Sequence, residues 1–161
     1  MSHLLIVYHS RTGGTQQMAE AALKAAQAEG EAKLLRAREA QAEDLLKASA
    51  YLFAAPENLA ALSGEMKEFF DRTYYPVLGK LEGRPYAQMV CAGSDGENAV
   101  RQTARIAKGW RLKEVQDALI ICTHAQTEEA ILAPKTISKD DLQKCHDLGA
   151  ALSAGLSMGV F

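Results

Sequence analysis

Short apolar runs alternate with segments of helical periodicity along almost the whole chain. Residues 3–8, 50–55, 86–92 and 118–122 are the strongest runs, and 32–36 is a weaker one. The first, second and fourth are nearly continuous rather than alternating. Such runs suit strands covered on both faces, as parallel sheets require. Between them, Met18, Ala22, Ala25 and Ala26 form an apolar stripe over 16–29, and Met66, Phe69 and Phe70 stand at i, i+3 and i+4 over 64–74. Residues 98–112 place Val100, Ala104, Ala107 and Leu112 on one side, and 139–156 do the same with Leu142, Cys145, Leu148, Leu152 and Leu156. A short helical turn is expected at 43–47. Strand–helix–strand repeated about five times predicts an α/β fold with a parallel sheet and right-handed crossovers. At 161 residues with no linker, repeat or low-complexity stretch, residues 1–161 read as a single domain. The stretch 123–137 lacks clear periodicity, and loops of that length are often functional or interfacial.

Composition narrows the function. The formal charge is −2, so neither a nucleic-acid footprint nor a polybasic membrane anchor is expected. No apolar run approaches the roughly 20 residues of a membrane span. The start of the chain does not resemble a signal peptide. Cys91, Cys122 and Cys145 are odd in number and far apart, which argues against a disulfide framework or a zinc site. A cytoplasmic protein is the expectation.

In an open parallel sheet, ligands bind beyond the carboxyl ends of the strands, where strand order reverses. The residues after the first run are therefore the informative ones. They are Ser10, Arg11, Thr12, Gly13, Gly14 and Thr15, followed directly by a helix. Glycines allow a tight turn, and hydroxyls with free amides at a helix start make a seat for a phosphate. Each hydrogen bond to a charged group contributes about 1.5–3 kcal/mol, so several could hold a phosphate monoester without a buried basic residue. The plainer alternative is an ordinary helix N-cap at Thr12. Neither G-x-x-x-x-G-K-[ST] nor G-x-G-x-x-G occurs.

Residues 10–15 resemble the S-x-T-G-x-T phosphate loop of the flavodoxins. Residues 55–72, with Pro56, Ser63, Gly64, Lys67, Phe69, Asp71 and Arg72, are similar to a stretch of the NAD(P)H:quinone oxidoreductases of the WrbA type and of related FMN reductases. Element order agrees from Leu4 to Leu156. The resemblance implies a flavodoxin-like three-layer α/β/α sandwich whose five-stranded parallel sheet has the order 2-1-3-4-5, with FMN at the switch point. It implies that Ser10, Arg11, Thr12, Gly13, Gly14 and Thr15 cradle the 5′-phosphate. Pro56, Glu57, Asn58 and Leu59 would line one side of the isoalloxazine, and Ala92, Gly93, Ser94, Asp95 and Gly96, just after Cys91, would approach its pyrimidine end. No side chain is expected to be catalytic, because the flavin carries the redox chemistry.

The implied activity is hydride transfer from NAD(P)H through FMN to a quinone-like or other small acceptor. A flavodoxin-type electron carrier and a flavodoxin-like binding protein that has lost FMN are the alternatives. Carriers of this kind are typically strongly acidic, which a charge of −2 does not match. Relatives also assemble as dimers or tetramers, so a homo-oligomer is implied.

One departure stands out. Relatives carry an aromatic residue after the proline of the second loop, where this chain has Glu57, Asn58, Leu59 and Ala60. Losing such a stack removes about 0.5–1.5 kcal/mol beyond area burial, up to about tenfold in affinity. Tyr74, Tyr75 or a partner chain are the expected sources of a replacement. His9 reads as partly packed and His124 as a surface loop residue. Arg72 is expected to complement the end of its helix, and Trp110 to serve packing or an oligomer contact.

Overall fold

Strand β1 (Leu4–Tyr8) is buried at every position and pairs in parallel with β2 (Ala32–Arg36) on one side and β3 (Ala50–Asn58) on the other. The computed structural model describes residues 2–161. Beyond β3 lies β5 (Pro85–Ala92), again parallel. The last position is shared by two short segments. β6 (Lys113–Glu114) pairs with the start of β5, and β7 (Leu119–Cys122) pairs with its end. The order β2-β1-β3-β5-β6/β7 is the expected 2-1-3-4-5 order with its outer strand split. The split was not anticipated, because Lys113 and Glu114 are exposed and carry no apolar signal.

The strands alternate faces as the pleat demands. Leu5, Val7, Tyr51, Phe53 and Ala55 point towards α2 (Ala42–Lys47), α3 (Gly64–Val77) and α4 (Glu97–Gly109). Leu4, Ile6, Leu52, Ala54 and Met89 point towards α1 (Gly14–Glu29) and α6 (Lys139–Ser157). This is the three-layer sandwich. Aromatic rings concentrate in the first of these two cores. Phe53 meets Phe70 edge-on at 5.2 Å, and Tyr74 stacks on Trp110 at 5.7 Å. The Trp110 indole N–H donates to Tyr74 O at 3.0 Å, so Trp110 is a packing residue. Arg72 departs from its expected place. Its guanidinium crosses to the loop before α2, donating to Ala37 O and Ala40 O at 2.9 and 2.6 Å.

Two further elements had no counterpart in the sequence pattern. β4 (Ala61–Leu62) folds back antiparallel on β3, so residues 57–58 are strand and only Leu59 and Ala60 turn. A five-residue helix, α5 (Glu128–Leu132), occupies part of the aperiodic stretch. Among the described residues, no helix is long and apolar enough to cross a membrane.

Candidate functional site

β1 and β3 stay paired to the end of β1, but the connections that follow pass to opposite faces of the sheet, from β1 into α1 and from β3 through β4 into α3. A cleft of about 350 Å³ opens there, within the range of small-ligand sites. Of the expected residues, Ser10, Arg11, Thr12, Gly14, Thr15, Pro56, Glu57, Asn58, Leu59, Ala92, Gly93 and Ser94 line it. Gly13, Asp95 and Gly96 are not among the residues that line it. Cys91, at the start of the third wall, lines it too, and Ala60, Thr123, Ala125, Gln126, Ile131 and Lys135 face the cleft in addition.

The loop after β1 is built around Gly13, whose φ of 93° is left-handed and suits glycine. Ser10 Oγ accepts the Gly13 amide at 3.2 Å, closing the turn. Gly13, not Thr12, is the N-cap of α1, and no side chain caps that helix. The N-cap alternative for Thr12 is therefore corrected: a glycine can take the left-handed cap conformation, and the Thr12 hydroxyl stays on the cleft side. Among the described residues, the amides of Arg11, Thr12, Gly14 and Thr15 have no acceptor. Thr15 Oγ1 is buried without a hydrogen-bond partner. A buried hydroxyl left unbonded costs about 1–3 kcal/mol unless a ligand completes it. Gly14 presses the loop onto β5, since a Cβ there would stand 2.8 Å from Cys91 Sγ. These features fit the phosphate end of FMN.

The opposite wall is the β3–β4 hairpin. Leu59 and Ala60 both have positive φ, 52° and 61°, in a two-residue turn that normally selects Asn-Gly. Non-glycine residues there carry strain of order 1–3 kcal/mol each. α4 holds the hairpin in place: Asn98 Nδ2 donates to Ala60 O at 2.7 Å, and Gln102 Oε1 accepts the Leu62 amide at 2.7 Å. Leu59 is fully exposed at the rim. Glu57 is structural in part, because its Oε1 accepts the Gly96 amide at 3.0 Å and ties the second wall to the third. Its Oε2 is buried without a partner. The Gly96 amide is therefore turned towards protein, not the cleft, and Asp95 is exposed with Oδ1 accepting the Glu97 amide.

The third wall, residues 92–94, is crossed by the chain leaving β7. Thr123 and His124 amides donate to Ala92 O and Gly93 O at 2.9 and 2.8 Å. His124 itself is exposed and does not line the cleft. Among the described residues, no aromatic ring lines it either. Tyr74 is occupied by Trp110, and Tyr75 lies largely exposed on α3. The expectation that one of these tyrosines would replace the missing stack from within the same chain is corrected: the helix register turns Tyr74 onto Trp110 in the core, with Tyr75 packed edge-on against it.

Burial pushes the Cys91 thiol up to about 11, opposed chiefly by the nearby Lys135 ammonium, so it faces the cleft as a neutral thiol. His9 joins the loop to α3 through Nδ1, 2.9 Å from Ser63 Oγ, and Nε2, 3.6 Å from Glu65 Oε2. Burial lowers its pKa below the ordinary 6.5, Glu65 opposing and Arg11 assisting. The folded state thus prefers neutral His9. The associated stability is present above pH 6.5 and lost as pH falls below it. Urea unfolding at pH 7.5 and 5.5 will show a smaller loss for His9→Gln than for the wild type; equal losses would remove His9 from this role.

Comparison with known proteins accords with this geometry. The family described as NADPH-dependent FMN reductase matches residues 36–126, which include the second and third walls. A flavodoxin of Aquifex aeolicus (strain VF5) is 38% identical over 96 residues, covering 58% of this chain and 50% of that protein. The chain thus spans about half the length of this curated relative. Among solved structures, a flavodoxin from the domain Archaea aligns with a TM-score of 0.78 at 18% identity, over 96% of this chain and 99% of that one. The flavodoxin, WrbA-like protein from Agrobacterium tumefaciens aligns with a TM-score of 0.71 at 21% identity, over 98% and 99%. These two likenesses establish the flavodoxin-like fold.

Proposed function

The chain belongs to the NADPH-dependent FMN reductase family, a flavodoxin-like FMN-binding family, and from that premise we propose that it is an FMN-dependent oxidoreductase moving reducing equivalents from NAD(P)H to a quinone-like or other small acceptor. The observation that carries this reading is the pairing, in one cleft, of a loop of unpartnered amides with the buried, unbonded Thr15 hydroxyl. Ser10, Thr12 and Thr15, with the amides of Arg11, Thr12, Gly14 and Thr15, would hold the phosphate at the positive end of α1. Pro56, Glu57, Asn58 and Leu59 would border the ring system on one side, and Ala92, Gly93 and Ser94 on another. When bound, FMN supplies the hydride-accepting and hydride-donating chemistry. The side chains position and exclude water.

A flavodoxin-type carrier is the second reading, favoured by the Aquifex relative. The FMN-loaded protein is expected to oxidise NADH or NADPH continuously when a soluble quinone is supplied. Reduction only through an added reductase would instead assign it to the carriers. In both readings a homo-oligomer in the cytosol is proposed, a second copy being one source of the ring that the cleft lacks.

A further inference from the structure

Residues 133–137, between α5 and α6, are stitched to the loop after β1 although more than a hundred residues separate them. The Lys135 amide donates to Thr12 O at 2.9 Å. Gln17 Nε2 donates both to Lys135 O at 2.7 Å and to Gly13 O at 2.9 Å, while Gln17 Oε1 accepts the Ile137 amide at 3.0 Å. Both polar atoms of the Gln17 side chain are thereby spent on holding the strap against the loop. The strap delivers a cation. Lys135 Nζ donates to Ala133 O at 2.6 Å and Ile131 O at 2.8 Å, and stands 3.4 Å from Thr12 Oγ1. All three partners are neutral, and among the described residues no carboxylate pairs with it. A half-buried ammonium on neutral acceptors, beside four unpartnered amides and the unbonded Thr15 hydroxyl, lacks the anion that would balance it.

We propose that Lys135 is a phosphate-binding residue of the cleft, and that the strap makes the site selective for a phosphate monoester over its uncharged parent. This rests on the FMN reading and sharpens it, because FMN would be held in preference to riboflavin. The plainer role for Lys135 is to cap the last carbonyls of α5. That role alters stability and leaves the preference between the two flavins unchanged.

The test is titration of the wild type, Lys135→Met and Lys135→Arg with FMN and with riboflavin, together with competition by inorganic phosphate. Thermal melts of each variant accompany it. The expected result is a loss of about 10- to 100-fold in FMN affinity for Lys135→Met with riboflavin affinity unchanged, and substantial recovery in Lys135→Arg. Inorganic phosphate is expected to displace FMN from the wild type, a measurement that stands even if Lys135→Met folds poorly. Equal losses for both flavins, or unchanged FMN affinity, would overturn the proposal and leave the FMN reading intact. A wild type that binds neither FMN nor inorganic phosphate would overturn both.

Discussion

Replacing Ser10 and Thr12 together with alanine will weaken FMN binding by about 100-fold or more while leaving the thermal midpoint within a few degrees of the wild type. Each hydroxyl offers the phosphate one hydrogen bond, and bonds to a charged group contribute about 1.5–3 kcal/mol each. Two such losses exceed the 1.4 kcal/mol that corresponds to a tenfold change in affinity. The protein without ligand gives up little. Ser10 Oγ supports one amide of the turn, at 3.2 Å, and the Thr12 hydroxyl meets only the Lys135 ammonium, at 3.4 Å. Isothermal titration of variant and wild type measures the difference. An unchanged affinity would remove the phosphate assignment from residues 10–15.

The largest effect on stability is expected at Gly149, where α6 crosses α1. A Cβ at that position would overlap the Ala22 carbonyl and Cα, which are backbone atoms and cannot rotate away. The same contact line is fixed by Ser153 Oγ donating to Ala26 O at 2.7 Å and Ser157 Oγ to Glu29 O at 3.1 Å, so the helices cannot separate without breaking these bonds. Overpacking of this kind costs about 1–3 kcal/mol. For a chain of this length each kilocalorie lowers the melting midpoint by roughly 2–4 °C. Gly149→Ala is therefore expected to melt several degrees lower, and Gly149→Leu not to fold. A Gly149→Ala melt equal to the wild type would mean that α1 and α6 do not pack this closely.

What could be read from the chain before its fold followed the length of the signals. Continuous apolar runs gave the central strands, and three- and four-residue periodicity gave the long helices, because each of those elements buries a whole face. β6 and α5 bury almost nothing and left no pattern. The β3–β4 hairpin was hidden for a different reason. Its turn consists of Leu59 and Ala60, and nothing in those residues announces a left-handed pair; α4 holds them there through Asn98 and Gln102.

The cleft divided in the same way. The loop after β1 could be recognised because glycines, hydroxyls and a helix start are contiguous in sequence. Lys135 could not, since it reaches that loop only through Gln17 and a strap far along the chain. The outward role expected of Gly96 failed because its amide is taken by Glu57. A local pattern does not show which neighbour claims a donor.

The proposed function requires the cleft between the loop after β1 and the β3–β4 hairpin to hold FMN. Calorimetric titration of the purified chain with FMN tests this most directly. One saturable site per chain is predicted, accompanied by a shift in the flavin absorbance bands, with affinity lowered about 100-fold or more in the Ser10→Ala, Thr12→Ala variant. Heat and absorbance that rise only by dilution, with no saturation at any FMN concentration, would contradict it.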